Sequence, residues 1–341
     1  MRIVKSAVAF LIAAALAACG ESFTAPTTSG AAGPSVSAST QASGTAGADL
    51  ELVGASIAEV NDALADRGAG VRLAKLEWMG LPVATDAQHQ PTQVVFADDR
   101  QLRLGSRWVP GDPRRDGREV LNYVVDRTFA AATGVDGGAT VALNSEPEID
   151  ASFGTWNAAA CSSIQAVKQA DGGALPSAVL AGGDTGGIDV GTVGFLPGAL
   201  FDLFLEPGAS DATLGVTFSF VFGSMQNGEF VPSDLDGNGL NDSAFKEVWY
   251  NDAFDWTDTG DDAAGIDIQT VALHENGHVF DLGHFGKIHA TFNHGQGNDR
   301  PGTLHVSPRA VMNAINLGTQ RELISTDNGA FCGNFGAWPN H

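Results

Sequence analysis

The chain has 341 residues, 43% of them hydrophobic and 17% charged, enough apolar material for one large domain or two smaller ones and too little polarity for a disordered chain. Forty acidic residues against 18 basic ones give a formal charge of −22, and a field of that sign argues against nucleic acid as a partner. Three cysteines, Cys19, Cys161 and Cys332, rule out a disulfide-dense scaffold.

Residues 1–18 read as an export signal, with Arg2 and Lys5 ahead of an apolar run, Ala7 to Ala18, that is short for a membrane span. The run ends in Leu16-Ala17-Ala18-Cys19, which resembles the lipobox of bacterial lipoproteins. That resemblance implies cleavage before Cys19, lipidation of Cys19, and an extracytoplasmic chain anchored to an outer membrane or cell surface. Residues 19–48, rich in Ser, Thr, Ala, Gly and Pro, lack the bulky apolar residues a core needs and read as a flexible tether.

Residues 49–104 read as a small α+β unit, a possible prodomain. Ile57, Val60 and Leu64 fall at helical spacing, and Val71 to Trp78 and Gln93 to Ala97 suit strands. Trp108 to Arg118, rich in Pro, Gly and Arg, reads as a joint marking the boundary, with residues 105–341 as the main domain. Leu121 to Asp126 predicts a core strand, residues 146–160 an amphipathic helix, and Leu214 to Phe222 and Phe245 to Tyr250 two further strands. The glycine-rich Ala181 to Gly194 lacks the Lys-Ser/Thr ending of a phosphate loop and reads as a turn-rich insertion. If the compartment is oxidising, Cys161 and Cys332 are the one pair left to bridge.

Asp234, Asp236, Asn238, the Leu240 carbonyl and Asp242 occupy the ligand places of an EF-hand-like loop, with Gly239 sixth, where the chain must turn. Phe245 stands where the bidentate Glu belongs, so calcium competes with a plain solvated acidic turn. His289, His294 and His305 share no regular spacing and read as a polar surface loop; His89 stands alone.

The chemistry concentrates in His274-Glu275-Asn276-Gly277-His278-Val279-Phe280-Asp281-Leu282-Gly283-His284. On a helix His274 and His278 share one face a turn apart and can grip one zinc ion, while Glu275 is rotated away and is free to handle a proton. His284, six residues on, supplies a third ligand and leaves a coordination position open, as catalytic rather than structural zinc requires.

This segment resembles the signature of the metzincin zinc proteases, and most closely that of the matrixins. Ser307 to Asn313 resembles their turn beneath the metal, with Met312 as its methionine, and Asp327 to Phe335 their closing helix. The resemblance implies an α+β zincin fold: a twisted mixed sheet, a buried active-site helix, and a C-terminal subdomain carrying Met312. It further implies zinc on His274, His278 and His284, Glu275 as the catalytic base, and hydrolysis of protein or peptide substrates. Asp281 stands where the family has Gly; it either tolerates the left-handed turn or accepts a hydrogen bond from a ligand histidine. No Tyr follows Met312, and no Cys between 20 and 160 can serve as a matrixin cysteine switch. The rival expectation is a surface-tethered, calcium-dependent adhesion protein whose zinc site is inactive. Oligomeric state is not readable.

Overall fold

The computed structural model describes residues 57–81, 92–96, 105–126, 131–136, 139–181, 187–205, 207–261, 264–291 and 303–340. The lipobox with Cys19, the tether, His89 and His294 lie outside the described residues. Among the described residues no helix is long and apolar enough to cross a membrane.

The protein is α+β, built on a mixed eight-stranded sheet. Its strands in chain order are β1 (Val71–Gly80), β3 (Ser106–Arg107), β4 (Leu121–Val125), β7 (Ala166–Lys168), β8 (Val190–Leu196), β9 (Thr213–Gln226), β10 (Glu229–Pro232) and β11 (Asn241–Asn251). The spatial order is β1-β9-β11-β8-β4-β7, with β10 on β9 and β3 on β11. From β11 through β8 and β4 to β7 the pairing is parallel, whereas β9 runs antiparallel to both β11 and β1. Parallel strands need cover on both faces, which accounts for the unbroken burial of β8 and of β11 after its first residue. β2 (Thr92–Phe96), β14 (Lys287–Thr291) and β15 (Thr303–Ser307) form a separate three-stranded sheet. β5 (Ala131–Asp136), β6 (Ala139–Asn144), β12 (Trp256–Thr257) and β13 (Ile266–Asp267) form a four-stranded one.

Two helices pack on each other: α1 (Glu146–Asn157) and α2 (Ile268–Val279). Helix α1 buries Ile149, Phe153 and Trp156, and the Trp156 indole donates to the Leu273 carbonyl at 2.9 Å. Every residue of α2 is buried, so it threads the interior rather than lying on it. The closing helix, α3 (Ser325–Phe335), adds Phe331 and Phe335 to the same core. Cys332 on α3 is disulfide-bonded to Cys161, just past α1.

Four local expectations are corrected. The described parts of residues 49–104 do not stand apart: β1 forms one end of the main sheet's path, and β2 pairs with β14, which follows His284. The expected joint at Trp108 to Arg118 is anchored in the core: Trp108 and Asp112 are fully buried, and Arg115 is held by the buried Asp189 at 2.8 Å. The glycine-rich insertion ends in the central strand β8, where a side chain on Gly191 would meet the Pro176 carbonyl oxygen at 1.9 Å. His289 and His305 sit in a regular ladder, opposite each other on β14 and β15, rather than in a loop.

Candidate metal centre

Helix α2 begins at Asp267, whose side chain accepts from the Thr270 N–H at 2.8 Å and so satisfies one of the helix's free donors. Two turns later His274 and His278 emerge on one face with the third ligand candidate, His284, beside them. The Nε2 atoms of His278 and His274 are 3.1 Å apart, and those of His278 and His284 are 3.2 Å apart. Two ligands at the zinc distance on tetrahedral directions stand about 3.3 Å apart, so this spacing fits one ion.

Proton bookkeeping sharpens the fit. His274 Nδ1 lies 2.7 Å from the Val311 carbonyl, His278 Nδ1 2.8 Å from the Leu282 carbonyl, and His284 Nδ1 3.2 Å from Glu77 Oε2. A neutral imidazole carries one N–H, and these acceptors place it on Nδ1 in all three rings. Three bare Nε2 lone pairs then face one another, an arrangement that could hold a shared cation. Burial keeps the rings neutral: it pulls His274 and His284 down to about 3 and His278 well below the ordinary range, with charge from the other histidines or Lys75 adding to the effect.

His284 reaches its place through the turn that ends α2. The Leu282 N–H donates to the Gly277 carbonyl at 3.1 Å and the Asp281 N–H to the His278 carbonyl at 3.0 Å, the two bonds of a Schellman motif. Its left-handed residue is Asp281, at φ 55°. Asp281 Oδ1 accepts from Lys246 Nζ (2.6 Å), Ser106 Oγ (2.8 Å) and Ser243 Oγ (2.8 Å), and Oδ2 from the Trp108 N–H (3.0 Å). Asp281 therefore serves the turn and touches no ligand histidine; the alternative expected for it is set aside.

Met312 lies under α2. A side-chain carbon on Gly277 would stand 2.1 Å from Met312 Sδ and 3.1 Å from the Trp156 ring, so only glycine fits in that helical turn. The turn around Met312 is clamped by Asp327 of α3, whose carboxylate accepts from the Val311 and Met312 N–H groups at 3.1 and 3.3 Å. Since Val311 carries the carbonyl that orients His274, α3 helps aim a ligand ring. Asp327 was not legible as a site residue, because its role depends on a long-range contact that leaves no spacing pattern.

Glu275 is fully buried beside the histidines. Its Oε2 accepts from Thr217 Oγ1 at 2.7 Å and its Oε1 from the Met79 N–H at 3.1 Å. Burial, with a contribution from Glu77, pushes its carboxyl up to about 8, so it can take and return a proton near neutrality.

The acidic loop is distinct from this centre. Asp234, Asp236 and Asp242 gather their carboxylates within 4.8 Å. Asp242 is already engaged, by Arg114 and Ser233 at 2.6 Å each and by the Leu235 N–H at 3.0 Å. The Asn238 side chain accepts from the Leu240 N–H at 2.7 Å. Glu247, near in sequence, faces elsewhere: it accepts from Ser177, Ala178, Val179 and Trp249.

No family model and no curated protein matches the chain.

Proposed function

We propose that this protein is a zinc-dependent endopeptidase with a zincin-like, matrixin-like catalytic region, tethered outside the cytoplasm through Cys19. The observation that carries the reading is the convergence of the three Nε2 atoms of His274, His278 and His284, each with its Nδ1 proton accounted for, beside a buried carboxylate. The α+β fold supports it: a buried helix packed on a mixed sheet, β9 running antiparallel to β11, and Met312 packed against Gly277 of that helix. Zinc at such a site polarises a carbonyl and lowers the pKa of water from 15.7 to about 7. Glu275 holds the proton that hydrolysis must move, taking it from the attacking water and delivering it to the leaving amine. Thr217 fixes the carboxylate's direction through Oε2, leaving Oε1 toward the chain that lies beside it.

The test is Glu275→Ala. The variant is expected to retain zinc by elemental analysis and to lose peptide-library hydrolysis by at least about 100-fold, the lower end of what a positioned acid–base group contributes. Unchanged hydrolysis removes the assignment.

A further inference from the structure

The strand β1 is more than an edge. It runs antiparallel to β9, with Trp78 opposite Val216 and Met79 opposite Gly215. On its other side the chain bonds to the segment after Met312: the Gly80 N–H donates to the Ala314 carbonyl at 3.0 Å, the Asn316 N–H donates to the Gly80 carbonyl at 2.8 Å, and Gly80 bridges Ile315 in parallel. Residues 78–80 thus pass extended through a slot between β9 and that segment.

The metal centre forms the floor of this slot. Glu77 Oε2 lies 3.2 Å from His284 Nδ1, Trp78 follows it in the strand, and the Met79 N–H donates to Glu275 Oε1 at 3.1 Å. Met79, only 3% exposed, lines a recess together with Ala310, Val311, Ile315 and Leu317, with Thr270 and Gln320 on its polar side. A strand that merely closed the sheet needs no backbone N–H on Glu275. A peptide awaiting hydrolysis does: one side of its scissile bond lies at the metal ligands, and its future amine lies on the proton carrier.

We propose that Trp78–Met79 is the enzyme's own first substrate, cut in cis; the inference rests on the hydrolase reading above. Water adds across the bond. Its oxygen bonds to the Trp78 carbonyl carbon, the C–N electron pair stays with the Met79 nitrogen, and Glu275 passes that nitrogen a proton. The products are a carboxylate at Trp78 and an amino group at Met79. Before the cut β1 fills the slot and excludes other peptides. Afterwards Met79 heads the retained chain, and its withdrawal from the recess admits substrates that carry an unbranched apolar side chain immediately after the cleaved bond.

The full chain, purified without metal and then given zinc, is followed by intact mass and amino-terminal sequencing. A new terminus at Met79 is expected, appearing at a rate unchanged over a tenfold range of protein concentration. Met79→Leu is expected to keep the cut, and Met79→Asp, which puts a charge in the recess, to slow it at least 100-fold. Glu275→Gln reads occupancy without turnover: hydrogen exchange is expected to find the Met79 amide protected. A rapidly exchanging Met79 amide, or a rate that rises with concentration, overturns the proposal. So does a zinc-loaded chain that never cuts at 78–79 yet hydrolyses a peptide library once an added protease has severed β1, and that result leaves the hydrolase reading standing. Hydrolysis of nothing in either arm overturns both.

Discussion

Lys246 on β11 and Asp281 after α2 meet at 2.6 Å with neither side chain exposed to solvent. Burial pulls the lysine's pKa down and the aspartate opposes that pull, so the pair is interdependent. Asp281→Gly matches the metzincin pattern and relieves the backbone at φ 55°, yet it leaves a buried ammonium without its partner. Breaking such a pair costs about 3–5 kcal/mol, more than the roughly 1 kcal/mol gained from the turn. Urea denaturation is expected to show Asp281→Gly destabilised, and the double variant Asp281→Gly/Lys246→Met largely restored. A single variant as stable as the parent would contradict this account.

Gly277→Ala offers a second reading of the same helix. In an open helix the change stabilises by about 1 kcal/mol. Here the added methyl lands on Met312 Sδ, and overpacking of about 1–3 kcal/mol is expected to win. The melting temperature should fall, and Met312→Ala in the same chain should recover part of it; a rise in the single variant would show that Met312 yields freely.

Metal removal tests the three bare nitrogens. A chelator is expected to lower the melting temperature, and zinc at about 1,000 times its Kd to restore about 4 kcal/mol. His278→Ala should abolish the response while leaving a folded chain by circular dichroism. An identical melting curve with and without zinc would count against convergence on an ion. The same titration with calcium reads the Asp234 to Asp242 loop, where Arg114 already holds one carboxylate.

Glu247 supplies a pH dependence. Burial pushes its carboxyl up to about 7 despite four donors around it. Between its unfolded value near 4.5 and about 7 the folded state binds the extra proton, so this group's stabilisation is present below that window and fades as pH rises through it. Stability measured from pH 4.5 to 8 should carry that decline, and Glu247→Gln, with nothing to titrate, should lack it. An unchanged slope in the variant would place the dependence elsewhere.

What the sequence disclosed followed from local rules. The i, i+4 spacing of His274 and His278, the apolar run into α2, and the alternation in β9 each depend on neighbours along the chain. Asp281 was legible as a left-handed residue but not as the partner of Lys246, 35 positions away. β1 read correctly as a strand, yet nothing local said that its partner would be β9, more than 130 residues on, or that Met79 would face Glu275. The Gly-rich run before β8 misled because glycine marks turns in most chains, whereas Gly191 answers to the Pro176 backbone.

The Cys161–Cys332 bond closes a covalent ring that spans 171 positions and holds β8, β9, β11, α2 and Met312 within it. A nick anywhere inside that ring leaves two pieces that travel together until a reductant parts them. Trp78 lies outside it, so a segment severed there would keep only its strand pairing with β9 and no covalent tie to what remains. On the proposed cut, the leading segment would part from the chain while the residues between Cys161 and Cys332 stay covalently closed.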